Sequence, residues 1–419
     1  MKTFHLLVSS ILQVSMKRPS RWILAICYYF SLLLGILSFG YDLKTGKVYT
    51  SRILSIYCGI INVAMCGILP LIFTQLHLSP GNFLKLHFPL KVRIIVCCIR
   101  MVAILLTIFL NWTKRQEFMR TLNYLQDMRS EFRKMWPLSD RVEHYFDRAI
   151  VLKFVVGLIA NFCISMESSA VGHPNIQWSQ FWIGVIDSLA IILSVIMTHY
   201  YNTISNVSVM QMVIREELRE ILLKSQMLSH CRNRNLIKHG IFIRQSEKLA
   251  KLLNELASSQ YRLEQLVHRI NAMYDIQGVC LLITIYLNNM VFVFIWYLLL
   301  GKMYVMIQWN QWAALFVPFT FGVIYADLLI FRFGLLRPVD LARETGQLLR
   351  DGKLMCLRLD KSLEESFKNF SLQLAKFPIE MKLVGLFKFN RAMVFSIFGS
   401  TISNAIVLIQ YDYKNNYNE

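Results

Sequence analysis

Seven stretches of this 419-residue chain run for about twenty residues each with almost no charge: 54–74, 93–112, 150–170, 181–203, 276–299, 312–332 and 392–410. A helix rises about 1.5 Å per residue, so each stretch is long enough to cross a hydrocarbon layer of about 30 Å. In hydrocarbon the backbone amides have no water to bond, and a helix satisfies them within the segment. The apolar runs are continuous and do not alternate, which argues against a barrel. Composition agrees: 55% of residues are apolar and 17% charged, against about 25% charged in ordinary soluble domains. The expected fold class is an all-α membrane protein with seven transmembrane helices.

The net charge of +19 is explained by where the basic residues fall. With a cytoplasmic N-terminus, the segments 1–53, 113–149, 204–275 and 333–391 hold 37 of the 45 lysines and arginines, and the outer connections hold 4. Positive residues collect on the cytoplasmic side of membrane proteins. Counting 22–39 as an eighth span sorts them less well, 33 against 8. The apolar run 22–39 is therefore expected to be an interfacial or re-entrant helix within a cytoplasmic N-terminal segment, 1–53. Spans one to four follow in 54–203, a cytoplasmic helical region in 204–275, and spans five and six in 276–332. A cytoplasmic anchor segment, 333–391, a last span, 392–410, and an extracellular tail, 411–419, complete the chain. The sequons at Asn111, Asn206 and Asn369 all fall on the cytoplasmic side. Nucleic-acid binding is not expected, since loop placement accounts for the charge.

The inner connections are patterned. Leu249, Leu256, Leu263 and Ile270 recur every seven residues, interleaved with Leu253, Gln260, Val267 and Tyr274. This is a coiled-coil-like seam leading into the fifth span. Ile214, Leu218, Ile221, Leu222 and Leu228 extend the fourth span into the cytosol in the same way, and Leu363, Phe367, Phe370, Leu374 and Phe377 form a third stripe. The three stripes are expected to pack on one another, and the same bundle is a candidate subunit joint. The run "CRNRNLIKHG" (231–240) reads as a solvated linker. No GxSxG, GxGxxG, P-loop or HExxH occurs, the nine histidines are scattered singly, and no CxxC pair is present. Neither catalysis, a cofactor nor a metal site is indicated.

Charge and amides inside spans are costly and often functional. Arg100 and Asp187 each lie about 10 Å below the outer surface, which permits a pair between them or separate partners or cavities. Lys153 is near the cytosolic boundary and is expected to snorkel to it. Asn161, Trp182, Asn288, Asn289, Phe292, Trp296, Phe316, Phe321 and Tyr325 gather in the outer halves of the remaining spans, where an outward-facing pocket is expected. Rings with a few amides suit a pocket that stacks and orients a small organic ligand. Arg100, Asn161, Trp182, Asp187, Asn288, Asn289, Trp296, Phe321 and Tyr325 are the ligand-binding candidates.

The last span ends "SNAIVLIQY" (403–411). Amides facing lipid would lose hydrogen bonds at about a few kcal/mol each, so Asn404 and Gln410 must meet protein or water. Ser403, Ile406 and Gln410 follow i, i+3, i+7 spacing on one face. Here the chain resembles the insect gustatory receptors, relatives of the insect odorant receptors. Their last span ends in Thr-Tyr, five hydrophobic residues and Gln-Phe. This chain has Ser403-Asn404, Ala405 to Ile409, then Gln410-Tyr411. The stretch "LGILSFGYDLKTGKVYTSRILSIY" (34–57) is also similar to that family's start.

The resemblance implies a ligand-gated, non-selective cation channel, a homo- or heterotetramer with other gustatory receptors in the plasma membrane of sensory dendrites. It places Gln410 and Tyr411 at the outer gate of a pore lined by the last helix, with Ser403, Asn404 and Ile406 as further pore positions. The stimulus implied is a small organic tastant, with bitter compounds the leaning. A G-protein-coupled receptor needs the opposite sidedness, and no DRY-like or NPxxY-like motif sits at the span ends. A transporter would favour internal repeats, and none is visible.

Overall fold

The computed structural model describes residues 19–42, 45–75, 88–170, 180–300, 311–355, 359–383 and 387–417. Ten helices among these residues form the fold, α1 (Pro19–Leu33), α2 (Arg52–Gln75), α3 (Phe88–Thr113), α4 (Arg115–Met135), α5 (Asp140–Ala170), α6 (Gln180–Asn233), α7 (His239–Leu300), α8 (Gln311–Met355), α9 (Lys361–Lys376) and α10 (Arg391–Tyr417). Two antiparallel two-residue hairpins join them: β1 (Gly40–Tyr41) with β2 (Val48–Tyr49), and β3 (Lys382–Leu383) with β4 (Phe387–Lys388).

All seven apolar stretches are helical. By length and composition, five helices among the described residues carry a segment able to cross a membrane: Arg52–Leu71, Ile94–Thr113, Asp140–Met166, His239–Phe294 and Phe319–Asp351. The stretch 181–203 lies inside α6, and α10 holds a shorter apolar run, Phe395–Gln410.

The 54 residues of α6 and the 62 of α7 correspond to about 80 and 90 Å of helix, far more than a bilayer core needs. Each runs unbroken from an apolar half into an amphipathic half. The seam positions explain why. Leu253, Leu256, Leu263, Leu266 and Ile270 of α7 are wholly buried, as are Ile204, Ile214 and Leu218 of α6. These two helices pack on each other, and α9 closes over α7 through Leu363, Phe367 and Phe370. The third stripe fades at its end, where Phe377 is exposed and instead meets Tyr261 edge-on at 5.2 Å.

The ends of these helices are written locally. Asp360 starts α9, accepting hydrogen bonds from the Ser362 amide and hydroxyl at 3.2 and 2.8 Å, as an N-cap does. Asn235 stops α6 with φ of 54°. The Leu236 and Asn235 amides donate back to the Cys231 and Arg232 carbonyls at 2.9 and 3.0 Å, which is the Schellman closure. The run 231–240, expected as a linker, is thus mostly two helix ends around a tight turn, though its residues remain largely exposed.

The apolar run 22–39 yields α1 of 15 residues and not a full span. Gly35, at φ 69°, ends it with the same closure through Ser31 and Leu32. A Cβ at Gly35 would come within 2.8 Å of Ile61 on α2, so the turn needs both glycine's left-handed freedom and its small size. The chain then returns through β1 and β2, which are pinned to α4 where Asn123 brackets Val48: its Oδ1 accepts from the Val48 amide at 2.8 Å and its Nδ2 donates to the Val48 carbonyl at 3.0 Å.

Below the apolar segments, Arg262 on α7 grips Glu131 on α4 with both terminal guanidinium nitrogens, at 2.9 and 2.7 Å, and its Nε donates to the Tyr124 hydroxyl. These hydrogen bonds hold the Glu131 carboxyl below the usual carboxylate range.

Candidate functional site

Two polar arrangements and one cavity lie where α7, α8 and α10 meet the rest of the bundle. On α10, Thr401 and Ala405 are buried and face α7, while Ser403, Ile406 and Gln410 are exposed on another face. The helix therefore has one side committed to its own chain and one side open, as the i, i+3, i+7 spacing predicts. The side chain of Tyr411 lies outside the described residues.

Asn404 resolves the question its position raises. Its amide nitrogen donates to the Tyr286 hydroxyl on α7 and to Ser400 at 3.4 Å, and Tyr286 and Ser400 are themselves 3.4 Å apart. An amide in an apolar helix is thereby satisfied by the neighbouring helix, and α10 is clasped to α7 six residues before Gln410. A double-mutant cycle of Asn404→Val with Tyr286→Phe is expected to give a coupling of about 0.5–1.5 kcal/mol in thermal unfolding. Strict additivity of the two substitutions would remove the clasp.

The candidates for ligand contact separate into two groups. Asn289 and Tyr325 line a common cavity of about 110 Å³, whose walls are otherwise mostly leucine, isoleucine and phenylalanine. Phe292 and Phe321 stack across α7 and α8 with centroids 3.8 Å apart. Asn288 is half-buried beside them. Arg100, Asn161 and Asp187 do not line this cavity. Asn161 donates to the Ser194 hydroxyl on α6 at 3.3 Å, Arg100 is half-buried, Asp187 is buried, and both of the latter interact with neighbouring groups. The side chains of Trp182, Trp296 and Phe316 lie outside the described residues. The cavity extends from Asn289 and Tyr325 toward Arg332, Met381 and Lys382, away from the α7–α8 connection.

Lys153 departs from expectation. It does not snorkel to the surface. Its ammonium lies 2.7 Å from both oxygens of Asp327 on α8, and only 3% of the side chain is exposed. The Phe331 ring lies 5.5 Å from the same nitrogen. A carboxylate at matching depth and an aromatic face outcompete the aqueous boundary. Asp327 is the polar residue that sequence reasoning passed over. The signal was present: an acid in the sixth apolar stretch and a lysine in the third, each a few residues from the same end of the membrane.

A bundle of membrane-length helices with ion pairs and amides turned inward and one open-faced terminal helix defines a multi-pass helical membrane protein. The chain belongs to the 7tm chemosensory receptor family, whose model matches residues 24–415. It is similar to Drosophila melanogaster gustatory receptor 59d, 27% identical over 420 residues that cover 94% of this chain and 98% of that one. Gustatory receptor 36a of the same fly is 27% identical over 93% of this chain and 97% of its own. The fly's gustatory receptor for bitter taste 22e is 22% identical over 92% and 94%. Among solved structures, the insect olfactory receptor OR5 from Machilis hrabei shares the fold, with a TM-score of 0.61 at 12% identity over 93% of this chain and 98% of that chain. Its complex with eugenol gives a TM-score of 0.52.

Proposed function

We propose that this chain is a subunit of a ligand-gated, non-selective cation channel that detects a small organic tastant. In this reading seven spans cross the plasma membrane, with the N-terminus in the cytosol, the C-terminus outside, and α1 lying at or re-entering the inner boundary. Four copies, identical or mixed with other gustatory receptors, bring their α10 helices to a common axis. Ser403, Ile406 and Gln410 line the ion path, with Gln410 and Tyr411 as its outer gate. Asn404 holds each α10 to its own α7. The cytoplasmic halves of α6 and α7, together with 333–391, anchor the assembly. Arg100, Asn161, Trp182, Asp187, Asn288, Asn289, Trp296, Phe321 and Tyr325 remain the candidates for tastant contact. Sensory dendrites are the expected location.

The observation that carries this reading is the open face of α10. Polar Ser403 and Gln410 are exposed on a terminal apolar helix, and exposure to lipid would cost each its hydrogen bonds. A water-filled path shared between copies removes that cost. A tastant opens the path only to the extent that it binds the open state more tightly. The bitter leaning draws support from a relative named for bitter taste, and the small organic stimulus from the eugenol complex of a structural relative.

The test is electrical. Cells expressing the chain, alone and with candidate co-receptors, are challenged with a tastant panel and their currents recorded. The expected result is a cation current whose selectivity or conductance changes in Gln410→Ala, together with a C-terminal tag that antibody reaches on intact cells. A tag reached only after permeabilisation would overturn the sidedness and return the G-protein-coupled reading.

A further inference from the structure

Helix α1 is two-faced. Ser20, Ile23, Cys27 and Ser31 are buried against the bundle, while Trp22, Ile26, Phe30 and Leu33 form an exposed stripe at i, i+4, i+8 and i+11. Such a helix lies with its apolar face in the boundary between headgroups and acyl chains. Its first turn is tied to α5, where the Ser20 hydroxyl donates to Asp147. Arg21, exposed in the same turn, therefore sits where the bundle meets the headgroups.

The neighbouring residue on α5, Phe146, carries a second guanidinium. Arg129 of α4 lies over its ring at 5.1 Å. The Arg129 Nε is sealed from solvent with no hydrogen-bond partner, and among the described residues Arg129 makes no ion pair. Its electrostatic neighbours are mixed: Arg133 and Arg21 repel it, and Tyr41 and Glu143 attract it. Burial, and then Arg133, bring its pKa down to about 10. Arg129 as a whole is half-buried, and a sealed guanidinium N–H left without an acceptor is costly. Glu143 of α5 attracts Arg129 without forming an ion pair with it, and Asp147 is taken by Ser20.

We infer that Arg21 and Arg129, with the Tyr41 hydroxyl beside them, bind the phosphate headgroup of an anionic lipid whose acyl chains lie along the Trp22, Ile26, Phe30 and Leu33 stripe. Phosphate oxygens match the planar donor fork of arginine. The contiguous apolar stripe selects a lipid over free phosphate, because it gives the chains a surface on the same helix as Arg21, starting at the adjoining Trp22. The inner leaflet is the anionic one, so the site rests on the sidedness proposed above. Its occupant would fix α1 to the bundle from the membrane side.

The experiment uses the full chain in phosphatidylcholine nanodiscs carrying a trace of fluorescent phosphatidylinositol 4,5-bisphosphate, with binding read by energy transfer from a label on the protein. Neither tastant nor current enters, so a receptor silent in cells leaves the result intact. Arg129→Gln and Arg21→Gln are each expected to weaken binding by about tenfold or more, while Arg120→Gln, exposed on α4, leaves it unchanged. Arg21 is exposed, so its substitution does not depend on tolerance of the core. Equal binding by wild type and both variants would overturn the site. Competition by soluble inositol trisphosphate as strong as by the lipid itself would overturn the lipid as its occupant.

Discussion

Replacing Lys153 with alanine is expected to destabilise the protein by about 3–5 kcal/mol, because Asp327 is then left buried without its counter-charge. The geometry makes this the most sensitive pair among the described residues. The ammonium contacts both carboxylate oxygens at 2.7 Å, neither side chain is more than 16% exposed, and α5 and α8 are closely packed along this line. Asp327→Ala should cost a similar amount. The double replacement Lys153→Met with Asp327→Leu should recover most of the loss, since a packed apolar pair avoids the desolvation that both ions suffer. Thermal unfolding of the detergent-solubilised protein, with surface expression beside it, measures all three. A double variant no better than either single one would mean the charges do more than neutralise each other.

Phe367→Ala is the second large effect expected, about 3–5 kcal/mol from lost burial and the cavity left behind. Phe367 is 1% exposed and sits in the contact of α9 with α7. Gln373 adds one bond to this contact, donating to the Ala257 carbonyl at 2.7 Å. Because α9 is short and otherwise polar, the loss should appear as local opening before global unfolding. Hydrogen exchange in 361–376 should accelerate while exchange in α7 changes little. Leu372→Ala, on the exposed side of α9, serves as the control and should cost less than about 0.5 kcal/mol. Unchanged exchange in the Phe367 variant would show that α9 is held by other residues.

What the sequence made legible was periodicity. The seam from Leu249 to Tyr274 and its partner from Ile214 to Leu228 are buried position by position, because a helical repeat encodes its own buried face. Ser403, Ile406 and Gln410 share an open face for the same reason. Contacts between distant segments were not legible in this way. Lys153 and Asp327 lie 174 residues apart, and their meeting depends on how α5 and α8 are rotated, which neither stretch encodes alone. Tyr286 carries no signal in the sequence, and its role shows only where α10 places Asn404 beside it. Turn chemistry was misread for a different cause: in "CRNRNLIKHG" the charges suggested solvation, while the left-handed asparagine that closes the helix was the informative residue.

The long amphipathic half of α7 also sets a schedule for synthesis. Its leucine seam is made before α9, the segment that covers it. At about 5–20 residues per second, the ribosome leaves that surface uncovered for several seconds on every chain. Partial shelter comes from the earlier half of the α6–α7 hairpin, closed by the Asn235 turn. The newborn receptor therefore depends on that hairpin forming promptly, and a substitution that slows the turn should show itself as lost yield before it shows itself as lost signalling.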